Sequence, residues 1–196
     1  MIYKTIKKKA VVEQTIKKSK FIGIAMPSSS KEEALAFIEG LKNEYKDASH
    51  IVYAYRFGPE KEEFYFTDNG EPSGSAGKPV FTAITGADVF NCVVAVVRYF
   101  GGIKLGVGGL IRAYFSTAKA AIESAEIIEV TPTKILTLEF PYEASRLVMY
   151  YVHEFSAEAI ETHYEEVVKM KLRINEDRYQ EFMNVLSKKS HLVRFS

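Results

Sequence analysis

The sequence holds one cysteine, Cys92. A single thiol excludes an internal disulfide and any multi-cysteine zinc site. Glycine is missing from the last part of the chain: all twelve glycines lie at or before Gly109. Tight turns and close backbone approaches are therefore expected only in the first part. Charge of one sign is missing too. The net formal charge is +1, so no global attraction to nucleic acid, membrane or acidic substrate follows from it. The longest apolar run, Cys92 to Val97, is far too short to span a bilayer. The first residues, Met-Ile-Tyr-Lys-Thr-Ile-Lys-Lys-Lys, lack an apolar core and a small-residue cleavage site, unlike a signal peptide. These absences lead us to expect a soluble cytoplasmic protein with no membrane contact. No internal repeat or low-complexity stretch occurs, and no pattern bears on oligomeric state.

What is present is an ordinary globular composition, 47% hydrophobic and 26% charged over 196 residues. Up to Glu126 there are 17 basic and 14 acidic residues (+3); from Ile127 there are 9 and 11 (−2). That shift and the glycine boundary place a joint near Thr131-Pro132-Thr133, giving domains 1–128 and 132–196.

In the first domain, Val11–Ile16 and Phe21–Ala25 read as strands. Ser30-Lys31-Glu32-Glu33 reads as a capping box before a helix burying Ala34, Phe37, Leu41 and Tyr45. His50–Phe57 and Glu63–Thr67 form a hairpin around Gly58-Pro59. Asn91–Phe100, apolar without alternation, reads as a central strand covered on both faces. Leu110–Ile122 reads as a helix. In the second domain, strands at Ile135–Phe140, Ala157–Tyr164, Val167–Ile174 and His191–Phe195 interleave with two helices. The first helix, Tyr142–Phe155, buries Leu147, Val148, Tyr151 and Phe155. The second, capped by Asn175, buries Tyr179, Phe182, Met183 and Leu186. The order β-α-β-β-α-β is ferredoxin-like.

Two glycine-rich segments can carry chemistry. The first runs from Thr67 to Pro79 and contains Ser73-Gly74-Ser75-Ala76-Gly77-Lys78. It offers backbone N–H groups, two hydroxyls and an ammonium to an anion, although the spacing is not that of a Walker A loop. The second runs from Val97 to Arg112. Arg98, Lys104 and Arg112 lie there beside Tyr99 and Phe100, with Gly106, Gly108 and Gly109 baring the start of a helix. Basic residues beside aromatic rings and open amides suit a nucleic-acid backbone or a small phosphorylated ligand. A bland alternative stands beside this: the glycines serve packing, and Arg98 pairs with Asp68 or Glu71. His50 begins a strand facing this cluster and is an accessory candidate with Asp68 and Glu71. His50, Asp68 and Ser73 can be drawn as a hydrolase triad, but no Gly-x-Ser-x-Gly elbow accompanies them, so no catalytic residue is assigned. Cys92 is expected to be an inert buried thiol. His153 and His163 lack metal-ligand spacing; neither metal nor cofactor is expected. Lys169, Lys171 and Arg173 share one strand face, which Glu165 and Glu166 offset.

The run from Gly77 through Val93-Val94-Ala95-Val96-Val97-Arg98-Tyr99-Phe100-Gly101-Gly102-Ile103-Lys104-Leu105-Gly106 resembles the signature of the Impact family, in its bacterial YigZ-like branch. Asp68 to Gly74 and His50 to Arg56 fit the same pattern, and the likeness covers about Lys18 to Ala125. It implies an α+β protein: a ribosomal protein S5 domain 2-like domain, then a ferredoxin-like domain resembling the last domain of elongation factor G. That pair contacts ribosome and RNA in the factor. Eukaryotic members of the family regulate translation by competing for an activator of a stress kinase; they also carry an extra N-terminal interaction domain, which is not expected here. The reading that follows is a non-catalytic binding protein linked to translation. Arg98, Lys104 and Arg112, helped by Lys78, Ser73 and Ser75, would contact RNA, the ribosome or a translation partner. The alternative is a small-molecule phosphate or nucleotide binder, or an enzyme, using Ser73 to Lys78. A third possibility is a pure protein-interaction domain.

Overall fold

The computed structural model describes residues 2–188 and 193–195. It is an α+β chain whose described residues divide into two compact units, Tyr3–Val130 and the residues from Thr131 on together with Ile2.

The first unit is built on a five-stranded antiparallel sheet in the order β2-β3-β6-β4-β5. The strands are β2 (Ala10–Ile16), β3 (Ser19–Pro27), β4 (His50–Phe57), β5 (Glu63–Thr67) and β6 (Cys92–Tyr99). β6 is central, and its side chains alternate between two cores. Val93, Ala95 and Val97 pack with Ile38 and Leu41 of α1 (Lys31–Glu44). Cys92, Val94 and Val96 pack under α2 (Gly77–Gly86) and α3 (Val107–Ser124). Burial on both faces explains why β6 reads as an unbroken apolar run. Two short strands outside this sheet, β1 (Tyr3–Ile6) and β7 (Ile127–Val130), pair with each other.

α1 starts at Ser30, whose Oγ accepts from Glu33 N at 3.2 Å. The return bond goes one residue further back than a capping box predicts: Glu33 Oε2 accepts from Ser29 N at 2.8 Å. The buried stripe of α1 is Ala34, Ile38 and Leu41, with Phe37 and Tyr45 only partly covered.

The second unit runs β8 (Thr133–Phe140), a short 3-10 turn, α4 (Ser145–Glu154), β9 (Glu158–Tyr164), β10 (Val168–Asn175), α5 (Glu176–Ser187) and β11 (Arg194–Phe195). Its antiparallel sheet has the order β11-β8-β10-β9, the ferredoxin-like arrangement. Leu136, Leu138, Val168, Met170 and Leu172 line one core with Val148, Phe182 and Leu186 of the helices. On α4 the buried positions are Val148 and Val152, so the apolar stripe sits one position away from Leu147 and Tyr151. Tyr142–Ala144 is a 3-10 turn rather than the first turn of that helix. Asn175 stands at the N-cap of α5, but its side chain makes no cap bond. His191 and Leu192 of the expected last strand lie outside the described residues. Lys169 and Arg173 do share the open sheet face, where they pair with Glu165 and Glu158.

Gly77 at the start of α2 fixes how the first glycine-rich loop lies on the sheet. A Cβ there would stand 2.6 Å from the Thr67 carbonyl carbon and oxygen, a contact that only backbone displacement relieves. Gly77→Ala is therefore expected to destabilise the first unit by about 2 kcal/mol or more through overpacking, read as a lower midpoint in urea unfolding.

Candidate functional site

The alternation of β6 puts Arg98 on the same face as Val94 and Val96. The sheet register sets Phe21 of β3 on one side of it and His50 of β4 on the other. Arg98 is thus carried under α3 beside Tyr114, and only 5% of it is exposed. An arginine this buried needs a partner. Its Nη1 donates to Glu71 Oε1 at 2.6 Å, and the Glu71 side chain is 3% exposed. The Tyr114 hydroxyl donates to the same oxygen at 2.7 Å. Burial, then the Glu71 carboxylate, pushes the Tyr114 phenol far above its ordinary range. Tyr114 also meets Phe21 edge-on at 5.4 Å. Arg98 is therefore a structural partner of Glu71 and no free phosphate contact. Of the two acids weighed as its partner, Glu71 is the one, and Asp68 is engaged elsewhere.

Asp68 is held by the loop that follows it. Its Oδ2 accepts from Gly74 N at 2.8 Å, and its Oδ1 from Ala76 N at 3.0 Å and Gly77 N at 2.8 Å. Burial pushes this carboxyl up, and the three backbone bonds more than offset that, leaving it below its ordinary value of 3.8. The amides of Gly74, Ala76 and Gly77 are thus already occupied by an anion belonging to the chain itself, and that of Ser75 donates to the Pro72 carbonyl at 3.0 Å. Ser75 is fully buried, and its hydroxyl donates to the Pro72 carbonyl at 2.6 Å. Neither Ser75 nor the amides of Gly74, Ala76 and Gly77 are available to an outside phosphate, which corrects the expectation placed on them. Ser73 and Lys78 are exposed. Lys78 borders a separate shallow depression with Gly74, Thr82, Ile111 and Phe115.

The two glycine-rich segments do meet. Glu71 and Pro72 from the first, with Arg98, Phe100 and Lys104 to Val107 from the second, line one cleft of about 570 Å³. His50 and Ser49 complete its wall. His50 Nδ1 lies 3.0 Å from the Asn69 carbonyl, an acceptor only. Nδ1 therefore carries the proton, and in the neutral ring Nε2 is the acceptor. Asn69 is placed by its own bond, Nδ2 to the Ile51 carbonyl at 2.8 Å. α3 begins at the cleft. Its N-cap is Gly106, at φ +72°, where no side chain caps the helix, and its first turn holds no acid. Arg112 lies outside the cleft, beside Ile16, Lys17 and Gly109. Sequence reading missed Tyr114 and Asn69. In sequence Tyr114 has only the spacing of a core residue of its helix; the Asn69-Gly70 pair is the signal for Asn69, which sits at φ +41°.

Cys92 is wholly buried, and desolvation pushes its thiol up to about 12. With Asp68 saturated and His50 bound to a carbonyl, the drawn triad does not assemble. Among the described residues no group of three or more His, Cys, Asp or Glu could hold a metal ion.

The model of the Impact N-terminal domain matches residues 17–122, the span that contains this cleft. This chain belongs to the Impact family. The Impact family member YigZ of Escherichia coli is 33% identical over 88% of this chain and 85% of its own. A crystal structure described only as that of a hypothetical protein covers 99% of this Impact chain and 96% of its own, with 29% identity and a TM-score of 0.72. The two-domain translational regulator Yih1 is 28% identical over 62% of this chain and 46% of its own, with a TM-score of 0.38.

Three outcomes follow for the Impact unit. Glu71→Ala strands a buried guanidinium and is expected to cost about 3–5 kcal/mol, measured by chemical denaturation. Asp68→Asn removes a charged acceptor and is expected to cost about 1.5–3 kcal/mol. Because the Asp68 carboxyl is lowered on folding, its stabilisation is present above the unfolded value of 3.8 and lost as the pH falls through and below it. Unfolding midpoints measured from pH 6 down to about pH 3 should therefore fall less steeply in Asp68→Asn than in the parent.

Proposed function

We propose that this chain is a non-catalytic binding protein of translation regulation, and that its N-terminal unit contacts an RNA phosphate backbone at the start of α3. The observation that carries this reading is the uncapped helix end opening on the cleft, with cationic Lys104 on its wall and Arg112 beside it. Helix N-termini and flanking cations receive phosphate. Exposed Phe100 on the same wall is a surface on which a base can stack. Membership of a family with a translational regulator among its likenesses supports the link to translation, though that role is stated of Yih1 alone. The cytoplasm is the compartment this role requires. Among the described residues no helix is long and apolar enough to cross a membrane.

The contact set differs from the one the sequence suggested. Arg98 and Ser75 support the cleft from within, and Lys104 and Arg112 are the residues assigned to phosphate, with Lys78 and Ser73 at a distance. A nucleotide cradle at Ser73 to Lys78 loses its support, because Asp68 fills that loop.

The experiment is fluorescence anisotropy of a labelled single-stranded RNA across a salt series. Log affinity should fall with log salt by about 0.7 per phosphate neutralised. Lys104→Ala/Arg112→Ala should flatten that slope by about 1.4, two phosphates' worth. Absence of binding at low salt would remove RNA from the proposal.

A further inference from the structure

We infer that the cleft receives a terminal phosphate on a ribonucleoside: the 5′-phosphorylated end of an RNA chain or a free nucleoside 5′-monophosphate. This deepens the RNA reading above and rests on the same cleft.

The first ground is size. About 570 Å³ accommodates one nucleotide rather than a run of them. A strand end offers a single nucleotide with its phosphate free.

The second ground is the disposition of charge. One wall is the start of α3, where Gly106 supplies no cap and no acid occupies the first turn. Backbone N–H groups there favour a doubly charged monoester over a singly charged diester. Lys104 lines the same cleft. Arg98 lines it too; it is 5% exposed, and its Nε has no hydrogen-bond partner among the described residues. An unpartnered donor in so buried a guanidinium is unusual in a protein interior.

The third ground is what else lines the cleft. Glu71 repels a phosphate that comes too near. Its Oε1 already takes Arg98 and Tyr114, and a carboxylate retains acceptor capacity beyond two bonds. The ligand group suited to Glu71 is a donor, such as a ribose hydroxyl. Phe100 is 49% exposed, and the Arg98 guanidinium carbon lies 5.4 Å from its ring centroid. It offers a flat surface to the base. Phosphate at the helix end, hydroxyls toward Glu71 and base on Phe100 together describe one nucleotide.

The test compares two RNAs of one sequence, 5′-phosphorylated and 5′-hydroxyl, by anisotropy, and adds adenosine 5′-monophosphate in thermal-shift assays. The control variant is Gly108→Asp. A Cβ at Gly108 meets only the Arg112 Nη1 at 3.7 Å, and an acid in the first turn favours the helix while repelling an anion. The phosphorylated RNA should bind about tenfold tighter, the gain of one charge-assisted hydrogen bond. Gly108→Asp should abolish that advantage while melting no lower than the parent. Stabilisation by adenosine 5′-monophosphate without binding of either RNA would keep the inference, with the free nucleotide as source, and overturn the RNA reading. Equal affinity for the two RNAs, without a nucleotide shift, would overturn the inference and leave the RNA reading intact. A phosphate preference that survives Gly108→Asp would overturn the placement at the helix end. Binding of neither RNA nor nucleotide would overturn both.

Discussion

The N-terminal unit depends on one buried charge and its compensation. Arg98 is placed beneath α3 by the parity of a central strand, and the sheet gives it no alternative direction. A guanidinium there is tolerable only with an acid beside it, and Glu71 arrives from a loop 27 residues earlier in sequence. The loop must then fold so that Glu71 reaches inward, and Tyr114 must turn its hydroxyl to the same oxygen. Three elements far apart in sequence are thus tied at one point: β6, the loop before α2, and α3. The mouth of the cleft lies beside that tie, so its shape is set by a core interaction rather than by mobile surface side chains.

The loop after β5 shows the same logic on a smaller scale. A run of glycines and serines ahead of a helix is an anion-binding element by construction. Here the anion is Asp68, supplied by the loop's own first residues. An internal carboxylate rigidifies the loop, and a rigid loop delivers Glu71 to Arg98. The element that most resembled a ligand cradle is therefore the support of the neighbouring site.

Much of the frame could be read from pattern. β6 appeared as an apolar run because both its faces are covered, and the hairpin β4–β5 announced itself through aromatic residues around Gly58-Pro59. The strand pair β1–β7 left no such trace, since four-residue strands whose partners lie over 120 residues away have no local signal. Within the site, the cluster of glycines and cations was legible, but its division of labour was not. Whether a basic side chain faces solvent or core is decided by strand parity and register. Arg98 and Arg112 look alike in a string of letters, whereas one sits in line with Val94 and Val96 and the other on an exposed helix face. Likewise, Ser75 and Ser73 differ only in which side of a turn they occupy.

That division also bears on how an almost neutral chain can still leave positive charge uncompensated at one place. Net charge measures the sum of all groups, while recognition depends on those left uncompensated at one place. Arg98 and Glu71 cancel each other within the core, and Lys169 and Arg173 are matched by acids on the second sheet. At the start of α3 the balance differs: a helix end without a capping side chain, no acid in its first turn, and Lys104 nearby. The partial positive charge of that helix end is part of the backbone and appears in no count of lysines and arginines. A chain with a formal charge of +1 can therefore hold a localised positive site, provided its glycines leave the helix end open.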